Sequence, residues 1–211
     1  MGVYRIAVFA SGEGSNFQAL AEAAIEGKLG GAEVALLVSD KPSAPVVGRA
    51  ERLGIPAFLF NPKDYTSREA YEREIVKRLK ENHIDLVVLA GYMRLLTPVI
   101  VGEYRGRLIN IHPSLLPAFP GKDAIGQALA YGVKVSGVTV HFVDEGMDTG
   151  PIIAQRAIDI VSGETAESFA QAVHSVERGL YPEVVSWFAQ RFVKLEGRQV
   201  TVSRSMGIMN R

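Results

Sequence analysis

Short apolar runs separated by amphipathic segments dominate the first half of the chain. Runs of this kind predict buried strands at Ile6 to Ala10, Val34 to Val38, Ala57 to Phe60, Leu86 to Ala90 and Leu108 to Ile111. Strands that are apolar on both faces and alternate with helical patterns are typical of a parallel sheet covered by helices on both sides. The pattern therefore predicts an α/β fold with a Rossmann-like, mostly parallel central sheet.

The clearest helical pattern runs from Thr66 to Asn82. Its apolar positions from Tyr71 to Leu79 recur at every fourth residue, which places them on one face of a helix. Thr66 and Glu69 have the spacing of a capping box, so we expect the helix to begin there.

The second half of the chain predicts a different order of elements. We expect a short helix, two strands, a long helix and a terminal hairpin at Asp123 to Tyr131, Gly137 to Val143, Pro151 to Ile158, Thr165 to Gln190 and Phe192 to Val202. A basic tail follows from Ser203, and a frayed end is expected there.

The charge balance, the absence of cysteine and the length of the apolar runs indicate which kinds of binding partner and chemistry to expect. Lys and Arg together number 23, and Asp and Glu together number 23, so no net field favours nucleic acid or an anionic membrane. The chain has no Cys, which excludes disulfides, thiol catalysis and thiolate metal sites. No apolar run approaches the roughly 20 residues of a membrane span. We therefore expect a soluble cytoplasmic protein without nucleic-acid or membrane partners.

A glycine-rich loop, Ala10-Ser-Gly-Glu-Gly-Ser-Asn16, directly follows the first predicted strand. Glycines let an anion approach the backbone N–H groups at a helix start, and Ser15 could both cap the helix and bind a phosphate oxygen. The spacing differs from the Gly-x-Gly-x-x-Gly of dinucleotide-binding turns, and the Lys of a P-loop is missing. The loop therefore predicts a monophosphate site; the alternative is a tight turn with a serine cap.

Three side chains suggest acyl-transfer chemistry. Asn110 and His112 alternate at period two, so they should emerge on one side at the carboxyl end of the fifth strand, where open parallel sheets bind ligands. An amide can donate to a developing oxyanion, and an imidazole can donate a hydrogen bond or a proton. Asp148 would act with them only if it lies near His112, where a carboxylate stabilises an imidazolium. The alternatives are a structural Asn, a core His and a turn-forming Asp.

Several motifs, in order along almost the whole chain, resemble the phosphoribosylglycinamide formyltransferases. They are Gly12 to Asn16, Ala90 to Leu96, the block Asn-Ile-His-Pro-Ser-Leu-Leu-Pro from Asn110 to Pro117, Asp144 to Gly150, and Glu177 to Pro182. The block is typical of all formyl-folate transferases, whereas the first and last motifs distinguish this family from its relatives.

The resemblance implies an enzyme that transfers a formyl group from 10-formyltetrahydrofolate, a cosubstrate, to the amine of 5'-phosphoribosylglycinamide in purine (IMP) synthesis. No metal is implied, and the protein should be a monomer or homodimer. Residues 1–190 should form a single formyltransferase domain, and residues 191–211 a C-terminal hairpin and tail.

Each matched position carries an implied role. The catalytic set is Asn110, His112 and Asp148, in which the first two stabilise the oxyanion and the third sets the His charge and assists proton removal. The implied substrate-binding residues are Gly12, Glu13, Gly14, Ser15, Asn16, Gly91, Pro113 and Glu177. The implied folate-binding residues are Arg68, Met93, Arg94, Leu95, Leu96, Asn110, Val143, Asp144, Glu145, Gly146 and Met147. His141 also stands at a matching position and could bridge the sheet to the site, but a satisfied core histidine is the simpler interpretation.

Other functions remain as alternatives. A formyltetrahydrofolate hydrolase should carry an N-terminal regulatory domain, and a methionyl-tRNA formyltransferase a C-terminal barrel, so the length of the chain disfavours both. A nucleotide-sensing domain without catalysis would use the glycine-rich loop alone and would bind ligand without turnover. A nicotinamide dehydrogenase is disfavoured by the loop spacing, although Asp40 stands close to the position of a ribose-binding acid.

Overall fold

The computed structural model describes residues 2–203 and has a seven-stranded sheet at its centre. The strands are β1 Tyr4–Phe9, β2 Ala32–Ser39, β3 Ala57–Leu59, β4 Leu86–Leu89, β5 Leu108–His112, β6 Val135–Phe142 and β7 Ile152–Asp159. Their order across the sheet is β3-β2-β1-β4-β5-β6-β7. The first five pair in parallel, and β6 and β7 add an antiparallel edge. The predicted mostly parallel α/β sheet is confirmed.

Helices cover both faces of this sheet. They are α1 Ser15–Ile25, α2 Pro45–Arg52, α3 Arg68–Glu81, α4 Pro98–Glu103, α5 Ala124–Tyr131 and α6 Ala166–Ala189. Alternate residues of β1 enter different cores: Ile6 belongs to the cluster that includes α1 and α6, and Ala7 to the cluster that includes α3 and α4. Because β4 and the second half of β1 are buried on both sides, their residues are continuously apolar.

The start of α3 corrects the predicted capping box. The helix begins at Arg68, and the hydroxyl of Ser67, not that of Thr66, accepts a hydrogen bond from the N–H of Ala70 at 3.1 Å. Ser67 has the extended backbone that an N-cap requires, with φ −156° and ψ 169°. The cap therefore lies one residue later than the Thr66 and Glu69 spacing suggested.

The reversal of chain direction at β6 brings distant residues opposite β5. In the antiparallel register, His141 pairs with Asn110 and Thr139 pairs with His112. Residues whose side chains share a face of neighbouring strands can touch across the pair. The antiparallel edge thus adds β6 side chains to the end of β5.

The chain continues beyond α6 into a hairpin. Its strands are β8 Val193–Glu196 and β9 Gln199–Val202, with Gly197 in the left-handed conformation at the turn. The side chain of Arg198 donates to the carbonyl of Thr149 at 2.9 Å, which ties the hairpin to the loop after β6. The predicted hairpin is confirmed, whereas the basic tail predicted from Ser203 lies almost entirely outside the described residues. Within residues 2–203, no helix combines the length and apolarity needed to cross a membrane.

Candidate active site

The carboxylate of Asp148 lies between two imidazoles at the end of β5. One of its oxygens is 3.5 Å from Nδ1 of His112, and the other is 3.6 Å from Nε2 of His141. Asp148 has a left-handed backbone with φ 55°, and its carboxylate also accepts a hydrogen bond from the N–H of Gly121 at 2.7 Å. The structure therefore brings Asp148 to His112, the contact on which a chemical role for this Asp depends.

The ring of His112 is oriented by a backbone carbonyl. Nε2 lies 2.8 Å from the carbonyl oxygen of Phe119, and that oxygen can only accept, so Nε2 carries a hydrogen. In the neutral ring this leaves the lone pair of Nδ1 facing Asp148. Nδ1 of His112 and the carboxylate of Asp148 are therefore close enough to interact directly.

His141 orients the amide of Asn110. Its Nδ1 lies 2.8 Å from the carbonyl oxygen of Phe142 and donates to it, which leaves Nε2 of the neutral ring to accept from Nδ2 of Asn110 at 3.3 Å. An amide nitrogen carries two hydrogens, so one stays available to a ligand. His141 is 2% exposed, yet it contacts both Asn110 and Asp148. His141 is therefore a buried histidine with hydrogen-bond partners at both ring nitrogens, as expected, and it also connects β6 to the site.

Opposing effects act on the pKa of Asp148. Burial raises the pKa, but the nearby ring of His141, the hydrogen bond from the Gly121 N–H and the nearby ring of His112 lower it by more. The net result is a pKa below the ordinary value of 3.8. Asp148 therefore stays ionised near neutral pH and can balance a positive imidazole.

A cavity of about 310 Å³ opens beside Asn110 and Asp148. Its lining consists of Arg68, Leu89, Tyr92, Arg94, Leu95, Leu96, Asn110, His141, Val143, Asp144, Glu145, Gly146, Met147 and Asp148. Every position predicted to bind folate lines this cavity except Met93, whose side chain is 74% exposed. His112 does not line it and reaches it through Asp148.

The glycine-rich loop lies at the end of β1 and leads into α1. Gly14 is the N-cap of α1 with φ 75°, and no side chain caps this helix, so the predicted capping role of Ser15 is wrong. Ser15 is instead the first helical residue. A Cβ at Gly14 would overlap the side chain of Val46, which explains the glycine. Because the first N–H groups of a helix have no partner within it, this end can receive an anion.

Glu177 connects this loop to α6. Its buried carboxylate accepts from Nδ2 of Asn16 at 3.1 Å and faces Nδ1 of His174 at 3.1 Å. Oδ1 of Asn16 is buried without a hydrogen-bond partner in the structure. A polar atom in this state favours a ligand that donates to it, because an unpaired buried acceptor is costly.

The two regions meet at the ends of neighbouring strands. Gly91 follows β4 and accepts a hydrogen bond from the N–H of Ser11 at 3.1 Å, and Pro113 follows β5 next to His112. Since β1, β4 and β5 are adjacent in the sheet, their loops converge at one edge. The predicted substrate residues thus form a second region, none of which lines the cavity beside Asn110.

The sequence of this chain was compared with those of known protein families. Residues 4–185 match a family model described as formyl transferase. The chain belongs to the formyl transferase family. Over 181 residues it is 53% identical to the phosphoribosylglycinamide formyltransferase of Bacillus subtilis, which covers 86% of this chain and 92% of that protein. The resemblance predicted from the motifs is therefore confirmed.

Solved structures of formyl transferases share the fold. The glycinamide ribonucleotide transformylase 1 of Geobacillus kaustophilus has a TM-score of 0.87 and 57% sequence identity, covering 89% of this chain and 100% of that one. A formyltetrahydrofolate deformylase from Pseudomonas syringae has the same TM-score of 0.87 at 28% identity, covering 95% of this chain and 66% of that one. Backbone similarity alone therefore does not separate the transferase from the deformylase.

Several contacts of this formyl transferase could not be predicted from its motifs. The carbonyl of Phe119 and the N–H of Gly121 orient His112 and Asp148, and backbone groups carry no signal in the sequence. Tyr92 lines the cavity and lies within a motif that was recognised, so its position could have been inferred. Among residues 2–203, no cluster of His, Asp and Glu side chains is arranged to hold a metal ion.

Asp40 does not have the free carboxylate that a dinucleotide would require. One oxygen accepts from the hydroxyl of Ser11 at 2.5 Å, and the other accepts from Nε of Arg94 at 2.7 Å. Both oxygens are thus bound within the protein. This geometry argues against the dehydrogenase alternative, in which the acid binds ribose hydroxyls.

His174 supplies a pH-dependent contact at the edge of the substrate region. The hydrogen bond from its ring to Glu177 raises the pKa of His174 above 6.5, and burial and Arg178 oppose the rise. A raised pKa contributes stability that is fully present below about pH 6.5 and is lost as the pH rises through the folded-state pKa. We expect the difference in unfolding free energy between the parent and His174→Gln to shrink as the pH rises.

Urea denaturation of both proteins from about pH 6 to about pH 9 measures this difference. The variant Glu177→Gln serves as a matched control, because it removes the carboxylate that shifts His174. NMR titration should show a lower pKa for His174 in that variant than in the parent. A His174 pKa that is the same in both would contradict the pairing.

Proposed function

We propose that this protein transfers the formyl group of 10-formyltetrahydrofolate to the amine of 5'-phosphoribosylglycinamide, a step of purine synthesis. The observation that carries the proposal is that the Asn110 amide and the Asp148 carboxylate line one cavity at the edge of the sheet where β1 leads into α1. The enzyme acts in the cytoplasm and needs no metal. Residues 1–190 form its single catalytic domain, and the C-terminal hairpin follows this domain in the chain.

The donor occupies the cavity beside Asn110. Its pterin lies between the segment from Arg94 to Leu96 and the loop from Val143 to Met147, which form the two walls. Arg68, at the start of α3, provides a cation at the same cavity for the carboxylates of the folate. This placement directs the formyl group toward Asn110 and Asp148.

The acceptor binds across the ends of β1, β4 and β5. Its phosphate lies at the start of α1, where Gly14 allows close approach and Ser15 adds a hydroxyl. Its ribose hydroxyls or amine reach the unpaired Oδ1 of Asn16 and the carboxylate of Glu177. Pro113 and Gly91 complete the surface between this region and the catalytic residues.

The chemical step begins when the amine of the acceptor attacks the formyl carbon. The carbonyl oxygen becomes an oxyanion, which receives a hydrogen bond from the second N–H of the Asn110 amide. His112 adds its Nε2–H by exchanging the carbonyl of Phe119 for the oxyanion. Asp148 is ionised before the step, so a negative charge faces the ring of His112 at 3.5 Å while that ring donates to the oxyanion.

Collapse of the tetrahedral intermediate completes the transfer. The bond from the formyl carbon to N10 of the folate breaks, and N10 takes a proton as tetrahydrofolate leaves. That proton comes from the attacking nitrogen: the Asp148 carboxylate accepts it directly or through water and passes it on to N10, so Asp148 ends the reaction ionised. No oxidant, reductant or metal is required by this balance of atoms and charge.

The helix-start anion site distinguishes transfer from hydrolysis. A deformylase needs only water as its acceptor, whereas the loop from Gly12 to Asn16 and the carboxylate of Glu177 provide partners for a phosphorylated amine. A non-catalytic nucleotide sensor would leave Asn110, His112 and Asp148 without a chemical role. The proposed acceptor uses all of these groups.

Isotope transfer tests the proposal. The donor is labelled with ¹³C in its formyl group and incubated with enzyme and 5'-phosphoribosylglycinamide, and the products are identified by mass spectrometry. We expect the label to appear in the N-formyl form of the acceptor. Label recovered as free formate would support the deformylase, and label retained in the donor would support the sensor.

A further inference from the structure

Asp40 is a buried carboxylate that the proposed reaction does not use. It follows β2, and its side chain is 1% exposed. It joins two segments, because it accepts from Ser11 on the loop after β1 and from Arg94 on the segment after β4. Removing a buried carboxylate from water is costly, and a cation with a second hydrogen bond offsets this cost.

Ser11 links Asp40 to the backbone of the segment after β4, part of which lines the cavity. Its hydroxyl donates to Asp40 and accepts from the N–H of Met93 at 3.0 Å, while its own N–H donates to the carbonyl of Gly91. Residues 91–96 form neither helix nor strand, so hydrogen bonds to other segments fix their path. The first half of this segment thus depends on Ser11 and Asp40.

A second buried carboxylate holds the far end of the segment. Glu72 on α3 accepts from the N–H of Thr97 at 2.8 Å and from its hydroxyl at 2.6 Å. Leu95 and Leu96, which line the cavity, lie between the two attachments. This wall of the cavity is therefore a short irregular segment with hydrogen bonds that lead to a buried carboxylate at each end, Asp40 at one and Glu72 at the other.

We propose that Asp40 is a positioning residue for the donor cavity. By binding Ser11 and Arg94 together, it holds residues 91–96 in the conformation that contacts the folate. The loop of the acceptor site has its own attachments, since the carbonyls of Gly12 and Glu13 accept from the N–H of Val46 at 3.1 Å and from Nε of Arg49 at 2.7 Å. Asp40 thus acts on donor binding far more than on acceptor binding. This inference rests on the proposed function.

The variant Asp40→Asn tests this role with little change of shape. The amide oxygen can still accept from Ser11, but the amide nitrogen then faces Nε of Arg94, and two donors oppose each other. We expect the Kd of tetrahydrofolate, measured by isothermal titration calorimetry, and the KM of the formyl donor to rise about tenfold, which is a change of about 1.4 kcal/mol. The KM of the phosphorylated acceptor should change less than about twofold.

Asp85→Asn is the matched control. Asp85 likewise accepts a hydrogen bond from another segment, here the backbone N–H of Arg5 at 2.8 Å, but it lies at the opposite end of β4 from the cavity. This variant should keep the parental Kd and KM of the donor. If Asp40→Asn does not fold, Ser11→Ala decides the matter, because it removes the bridging hydroxyl and should also weaken donor binding selectively.

The binding measurements distinguish failure of the positioning role of Asp40 from failure of the proposed function on which it rests. A parent protein that fails to bind tetrahydrofolate would contradict the proposed function. A parent that binds it, together with a folded Asp40→Asn whose Kd and KM for the donor match the parent, would overturn the positioning role alone. Equal losses for donor and acceptor would also overturn it, because they would indicate general disruption.

Discussion

Replacing Asn110 with alanine is expected to lower kcat by about 10² to 10³, the usual loss when one oxyanion donor is removed. The Asn110 amide lines the cavity and is held by Nε2 of His141, so one N–H has a fixed direction before the substrate arrives. Alanine removes this donor but leaves the cavity walls in place. The Kd of tetrahydrofolate should therefore stay close to that of the parent.

Steady-state kinetics and calorimetric binding of tetrahydrofolate measure these two quantities separately. Asn61→Ala provides a matched control, because Asn61 is an exposed residue that caps a short helical turn and does not line the cavity. That variant should keep parental kcat. A folded Asn110→Ala protein with near-parental kcat would show that the proposed oxyanion donor is wrong.

Replacing Asp148 with asparagine is expected to lower kcat by about 10² or more, within the range for loss of a group in acid–base catalysis. The change keeps the shape and leaves an oxygen to accept from the N–H of Gly121. It removes the negative charge between His112 and His141 and the carboxylate that accepts the proton of the attacking amine. The KM of the acceptor should change little, because Gly14 and Ser15 hold the phosphate elsewhere.

Because the pKa of Asp148 is lowered, the difference in unfolding free energy between the parent and Asp148→Asn should depend on pH. A carboxylate with a folded-state pKa below its ordinary 3.8 contributes stability that is present above that value and is lost as the pH falls through the lowered pKa. The parent should therefore exceed Asp148→Asn in unfolding free energy at neutral pH, and the difference should shrink below about pH 4. Parental kcat together with parental stability in Asp148→Asn would leave this Asp as a turn residue.

Local patterns predicted those parts of the fold and site that depend on nearby residues. The apolar runs gave the parallel strands because burial on both faces leaves a direct trace in the sequence. The alternation of Asn110 and His112 and the glycines around Asp148 marked the ends of strands where a ligand could bind. The residues that motif resemblance implied for folate, from Arg68 to Met147, all line the cavity except Met93.

Contacts set by the arrangement of strands could not be predicted in this way. The place of His141 depends on the antiparallel register of β6, which pairs it with Asn110. The position of His112 depends on a carbonyl seven residues later, at Phe119. Asn16 and Glu177 meet across 161 residues because α6 returns to the start of α1. The two helix starts were misplaced by one residue, since the N-cap of α3 is Ser67 and not Thr66, and the N-cap of α1 is Gly14 and not Ser15.

Acceptor dependence is the most direct test of the central claim that this enzyme transfers the formyl group to a phosphorylated amine. The measurement is the initial rate of tetrahydrofolate formation from 10-formyltetrahydrofolate, followed by absorbance, with and without 5'-phosphoribosylglycinamide. We predict that formation of tetrahydrofolate requires the acceptor and that water alone is a poor substitute. Equal rates with and without the acceptor would contradict the account and identify the reaction as hydrolysis.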